Sequence, residues 1–253
     1  MQDVAARREL LAAVEAGKTR RIAFVVPPGA TWTLPIYELA LLSAEHAERL
    51  GQEVALTVLT PEPLPVAALG HQAGVAVAAA LEDRGVALRP GVRAQHVRSG
   101  ELLDLRGRVL ADADRVVALP LLTGPRTRGL PHDVDGFIPV DEHGAIRGVP
   151  RAYGAGDATT APYKQGGVAA QQAELAAREI ARAAGADVET HELHATLRAH
   201  AAAGAGPRWF SAPAQRPTAL GSGTTAEQPL WSPPTKVAMP HLSGFLERGG
   251  ARP

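Results

Sequence analysis

Apolar residues near the start of the chain fall at helical spacing and then give way to unbroken runs. Val4, Leu10, Leu11 and Val14 predict a helix over residues 3–16, ended by Gly17, which can take the left-handed conformation that closes a helix. Ile22-Ala23-Phe24-Val25-Val26 is an apolar run of strand length that breaks at Pro27-Pro28-Gly29, the pattern of a strand buried in a parallel sheet. Past the break Thr33 is placed to cap a helix with apolar positions Ile36, Leu39, Ala40, Leu42, Ala44 and Ala47, running to Leu50 and terminated by Gly51. Residues 53–59, with Val54, Leu56 and Val58, predict a second strand, and residues 66–84 a second helix. Strand, helix, strand, helix in this order predicts a right-handed βαβ unit.

The pattern changes after Val86. Short extended pieces at 92–97, 101–105 and 109–110, divided by Gly100 and Gly107, predict antiparallel hairpins, and residues 115–119 return to a buried-strand run. From 120 to 150 prolines and glycines, including Pro125, Gly129-Leu130-Pro131 and Gly136, predict an ordered crossover with little helix. Asp133, Asp135, Asp141 and Glu142 lie in that crossover and read as turn caps rather than paired catalytic carboxylates. An alanine-rich helix follows from about 167 to 184, closed at Gly185. Beyond Asp187 the periodicity fades. His191, Glu192, His194 and His200 read as a solvated helix face rather than a metal-ligand set, while Gly204-Ala205-Gly206-Pro207 and Gly221-Ser222-Gly223 read as loops. No internal repeat is present.

Composition narrows the function classes. A length of 253 residues suits either two lobes or one large domain. Equal numbers of basic and acidic residues, 26 of each, leave no basic field to draw a nucleic acid, so a nucleic-acid partner is excluded. Apolar runs such as 39–42 and 116–122 fall far short of the roughly 20 residues a bilayer span needs, and residues 2–9 lack the form of a secretory signal, so a cytoplasmic address is expected. The absence of cysteine removes disulfides, thiolate zinc sites, iron–sulfur ligation and redox dithiols, so redox chemistry here requires a cofactor. Trp231, Pro233-Pro234 and Phe245-Leu246 in the tail predict burial of the chain end, with peripheral membrane contact left open.

The segment richest in chemistry is Tyr153-Gly154-Ala155-Gly156-Asp157-Ala158-Thr159-Thr160, followed by Pro162-Tyr163-Lys164-Gln165-Gly166-Gly167-Val168-Ala169-Ala170-Gln171-Gln172-Ala173. Small residues let a backbone approach a ligand closely, an aspartate accepts hydrogen bonds from hydroxyls, and a helix starting at Gly166-Gly167 offers unpaired N–H groups that favour negative charge. This arrangement resembles the second flavin fingerprint of the pyridine nucleotide-disulfide oxidoreductase flavoproteins, in particular type II NADH dehydrogenases and sulfide:quinone oxidoreductases, in which a strand ends in Gly-Asp and a helix begins a few residues later. The resemblance covers about residues 1–185 and implies FAD as cofactor. By it, Gly156, Asp157, Thr159, Gln165, Gly166 and Gly167 would bind flavin, with Asp157 on the ribityl chain. Lys164 would act as counter-charge or proton donor, and Gln171, from an Ala-Gln motif, would lie on the quinone side.

That likeness implies an α/β fold class, a Rossmann-like FAD/NAD(P)-binding fold (three-layer, βαβ) plus the C-terminal segment of the flavin domain. Residues 1–20 would be a connector helix, 21–119 the nicotinamide-type domain, 120–185 the flavin-domain segment, and 186–253 a tail or interface region. Two departures speak against NAD(P)H. Pro27-Pro28-Gly29-Ala30 replaces the glycine-rich pyrophosphate turn, and Thr60-Pro61 comes before the first acid, Glu62, where the family places a ribose-binding acid. The family's opening Gly-x-Gly-x-x-Gly fold, which holds the ADP end of FAD, has no counterpart here. The expected function is thus an FAD-dependent oxidoreductase delivering electrons to a quinone or other small acceptor, as a fragment or with a complementing FAD-binding half. A homodimer is compatible with this. The alternative is a non-catalytic dinucleotide-fold module for interaction or regulation.

Overall fold

The apolar run at 22–26 forms β1 (Arg21–Val25), preceded by α1 (Gln2–Glu15) and a left-handed Gly17. The structure, a computed structural model, describes residues 2–201, 206, 208–214, 222–235 and 237–249. One unit is built around the chain up to Leu121, a second around Leu122–His200 with Trp209–Arg216 and the segment from Ser222 onward.

In the first unit β1 is followed by α2 (Leu34–Arg49), β2 (Ala55–Leu59), α3 (His71–Asp83) and β3 (Ala87–Arg89). With β7 (Arg115–Ala118) the strands make a parallel sheet in the order β3-β2-β1-β7. Side chains alternate across such a sheet. Ala23, Val25 and Leu59 therefore join Ala94, Leu102, Leu110 and Ala113 in one buried cluster. The latter group lies in or beside the antiparallel sheet of β4 (His96–Arg98), β5 (Glu101–Leu103) and β6 (Val109–Asp112). Ile22, Phe24, Leu56 and Val58, also buried, alternate to the opposite face, on the side of α2 and α3. Helices, parallel sheet and antiparallel sheet stack in three layers, a mixed α/β arrangement.

Several local expectations need correction. Thr33 occupies the cap position of α2 with helical dihedrals, and its hydroxyl donates to Glu62 instead of capping. The buried stripe of α2 is Ile36, Tyr37, Ala40, Leu41 and Ala47, so Leu42 falls off it and is 51% exposed. The second helix starts later than residue 66: a 3-10 turn at Ala67–Leu69 is cut from α3 by Gly70, whose left-handed φ of 92° no helix continues through. Residues 115–119 are only partly buried because β7 is an edge strand.

In the second unit the crossover holds no helix. Isolated bridges pair Ile138 with Thr159, Val140 with Ile146 and Ala145 with Tyr153. Asp133 accepts the N–H groups of Asp135 and Phe137, and Asp141 those of His143 and Ala145, so these acids do cap turns. Gly124 lies flat against Gly136; a Cβ there would sit 2.0 Å from the Gly136 carbonyl carbon. α4 (Gly166–Ala183) follows, then β8 (Thr196–Ala201), β9 (Arg208–Pro213), β10 (Thr224–Ala226) and α5 (Pro240–Gly249), with sheet order β10-β9-β8. His200 is on a strand, not a helix face, because Leu197, Ala199 and Ala201 bury alternate positions; its ring lies 4.4 Å from that of Trp209. His191 and His194 precede that strand in non-helical chain. Trp231 meets Trp209 edge-on and donates to the Thr235 carbonyl, but the expected burial of the tail is not found: Pro234 is exposed and Phe245 is 64% exposed. Of the two glycine-rich loops, residues 204, 205, 207 and 221 lie outside the described residues.

Candidate functional site

Tyr153 contributes a single bridge to Ala145, where a full strand ending in Gly-Asp was expected, and the chain then turns at Gly156. Gly156 has a φ of 81°, a conformation that side chains disfavour, and a Cβ there would come within 3.2 Å of Ala169 on α4. Thr159, fully buried, donates both its N–H and its hydroxyl to the Gly156 carbonyl, at 3.0 and 2.8 Å. The Gly156 N–H itself donates to Gln172 Oε1 of α4 at 2.8 Å. The turn is thus tied at both of its polar groups.

Asp157 projects from this turn into solvent, and among the described residues nothing donates a hydrogen bond to its carboxylate. Lys164 is the opposite case. Its buried ammonium donates to the Thr159 carbonyl and stands 3.8 Å from the centre of the Phe137 ring. Burial pushes the Lys164 pKa down, and the negative charges of Asp157 and Asp133 pull it partly back.

At the start of α4, Gln165 is extended and caps the helix: its Oε1 accepts the Val168 N–H at 3.1 Å while its Nε2 donates to the Arg198 carbonyl at 2.7 Å. The N–H groups of Gly166 and Gly167 find no acceptor among the described residues, and around Gly166 there is open space. One turn further on, Gln171 pairs with the backbone of Thr196 as a neighbouring strand would, donating to its carbonyl and accepting its N–H, both at 2.8 Å. Its Nε2 also donates to the Gly167 carbonyl.

All eight residues singled out in the sequence therefore gather at one turn and one helix start, but they divide into two groups. Asp157 and Gly166 are exposed; Gly156, Thr159, Lys164, Gln165 and Gln171 are committed to partners inside the protein, and Gly167 is buried. Gln172 was missed. Its position four residues from Val168 and three from Leu175, both on the buried stripe, was the available signal. Among the described residues, no cluster of three His, Cys, Asp or Glu could hold a metal, and no helix is long and apolar enough to cross a membrane.

The first unit has its own acid beyond a strand end. Glu62 is turned inward and accepts from Thr33 (3.1 Å), Tyr37 (2.6 Å), Thr60 (3.3 Å) and the Ala67 N–H (2.9 Å). Burial pushes its carboxyl up against the pull of these donors, and burial together with the Glu62 charge pushes the Tyr37 hydroxyl up.

The family model described as pyridine nucleotide-disulphide oxidoreductase matches residues 39–179, more than half of the chain. The chain belongs to this family. No curated protein matches it in sequence. The fold of this family member is similar to that of the sulfide:quinone oxidoreductase from Aquifex aeolicus, with a TM-score of 0.72 at 15% identity, covering 95% of this chain and 64% of that one. LpdA from Mycobacterium tuberculosis gives 0.55 at 17% identity, covering 77% of this chain and 40% of LpdA. The flavoprotein disulfide reductase RclA from Escherichia coli gives 0.53 at 13% identity, covering 77% and 43%. The chain thus spans less than two thirds of each of these proteins. The stretch matched by the family model takes in Glu62 and the whole candidate site from Gly156 to Gln172.

Proposed function

We propose that this chain is part of an FAD-dependent oxidoreductase that takes electrons from a reduced donor and delivers them to a quinone or similar small acceptor. A complementing half would hold the ADP end of FAD. The observation that carries this reading is an exposed Asp157, to which no described residue donates a hydrogen bond, near a helix start with open space around Gly166, in a chain of this family. That donor and acceptor set fits a flavin, which has hydroxyls along its ribityl chain and gathers negative charge at its pyrimidine edge when reduced.

Bound flavin would supply the electron-transfer chemistry. Asp157 would accept hydrogen bonds from the ribityl hydroxyls, on a turn shaped by Gly156 and Thr159. Gln165 caps the helix through the Val168 N–H, the Gly166 and Gly167 N–H groups find no acceptor among the described residues, and together with the Lys164 charge they would favour negative charge at the cofactor edge. Gln171 holds β8 beside α4 and marks the acceptor side in this reading. Cysteine-dependent sulfide oxidation is not assigned to this chain, which contains no cysteine.

Titration of FAD into the purified chain, followed by flavin absorbance, tests the proposal with and without the complementing half. An Asp157→Ala variant should bind about 10- to 100-fold more weakly, the worth of a hydrogen bond to a charged group. No flavin band in either setting, or equal binding by the variant, would overturn it. One observation favours a second reading for the first unit: Glu62 is wholly engaged inside the fold, so that unit also suits a dinucleotide-fold module kept for interaction or regulation.

A further inference from the structure

We infer that Gln172 is the positioning residue of the Gly156–Asp157 turn, holding the outward-facing acid at a set place relative to the free N–H groups of the same helix. The inference rests on the flavin reading for its use, but its geometry stands by itself. Gln172 is only 5% exposed and sits among Val168, Leu175 and Ala176 on the buried stripe of α4, where an amide is costly unless it is hydrogen-bonded. Its Oε1 takes the Gly156 N–H at 2.8 Å. Gly156 is in the left-handed region, and the neighbouring N–H and hydroxyl of Thr159 point back to its carbonyl rather than forward to α4. The Gln172 contact is therefore, among the described residues, the polar tie between this turn and the helix. Asp157 is the next residue, so the direction of its carboxylate follows from how Gly156 is held. One helix then carries both halves of the site: the Gly166 and Gly167 donors at its start, and the turn of the acid through Gln172 about one and a half turns along.

Amide hydrogen exchange at Gly156 and FAD affinity, each measured on the same purified chain, separate positioning from plain stability. Gln172→Leu removes the acceptor; Gln172→Glu keeps it; Leu175→Ala weakens the same helix without touching the turn. Gln172→Leu should speed exchange at Gly156 about five- to tenfold and weaken FAD binding by a similar factor, both recovered in Gln172→Glu. Leu175→Ala should lower the melting temperature and leave both readings near wild type. If Gln172→Leu does not fold, Gln172→Met makes the same comparison. Unchanged exchange at Gly156 in the acceptor-free variant overturns the inference, as does unchanged FAD affinity when the wild type binds. A wild type that binds no FAD sinks the flavin reading instead, and the exchange measurement then decides the positioning role by itself.

Discussion

Glu62 in the first unit and Asp157 in the second are acids placed just beyond a strand end and on a glycine turn, yet they are used in opposite ways. Four donors converge on Glu62, among them the buried Tyr37 hydroxyl and the Ala67 N–H. None does so on Asp157 among the described residues. The backbones differ in the same sense: Pro27 and Pro28 have no N–H to donate, while the Gly166 and Gly167 N–H groups find no acceptor among the described residues. An acid whose acceptor capacity is spent on its own fold stabilises the protein. One left unpaired at a donor-rich turn is available to a ligand. Residue type and rough position cannot separate the two.

The largest expected effect breaks this comparison at Glu62. Glu62→Ala leaves the Tyr37 hydroxyl and the Ala67 N–H without an acceptor and should destabilise the first unit by about 2–4 kcal/mol, whereas Asp157→Ala should cost under about 0.5 kcal/mol. Urea unfolding followed by tryptophan fluorescence measures both, since Trp32 reports the first unit and Trp209 and Trp231 the second. Equal losses would erase the distinction. Next in size, Gln171→Leu strands the N–H and carbonyl of Thr196 and should cost about 1–3 kcal/mol in the second unit alone. A cost near zero would free Gln171 from the structural role its geometry gives it.

The pH dependence sharpens the picture further. Because the Glu62 carboxyl is raised in the folded protein above its ordinary value of 4.5, the folded chain keeps a proton that the unfolded chain releases. Its contribution is full below about 4.5 and is lost as pH rises through the raised value, with a slope of at most ~1.4 kcal/mol per pH unit. Glu62→Gln should flatten that fall, and parallel curves for the two proteins between pH 4 and 8 would contradict it. The smallest effect lies away from both acids. Ser99 and Gly100 join β4 to β5 with φ of 51° and 86°, a two-residue hairpin turn that asparagine suits better than serine. Ser99→Asn should stabilise the first unit by ~0.5 kcal/mol, read as a small rise in melting temperature.

Most of the first unit was legible in the chain because its signals are local. The run at 22–26, the glycine after α1 and the short extended pieces after residue 86 correspond to β1, the end of α1 and the antiparallel sheet. The errors came where a local signal had a distant competitor. Thr33 looks like a cap until Glu62, 29 residues away, takes its hydroxyl. The His-rich stretch looks helical by composition until the alternation of Leu197, Ala199 and Ala201 puts it in a sheet. In the site, adjacent Gln171 and Gln172 are indistinguishable by type. They are separated only by a rotation of about 100° around α4, which turns one to Thr196 and the other to Gly156.

By itself the sequence determined the order of elements, the absence of thiol chemistry, and the gathering of Gly156, Asp157, Lys164 and the Gly166-Gly167 helix start within one short stretch. These follow from side-chain periodicity and backbone freedom, which act over a few residues. Tertiary structure alone decided that Glu62 is spent on four donors while Asp157 receives none among the described residues, that Lys164 is buried against Phe137, and that Gln172 accepts the Gly156 N–H. Each of these depends on where a buried polar group finds its partner. That search is settled by packing between segments far apart in the chain, because a polar group taken out of water must be satisfied by whatever the fold brings beside it.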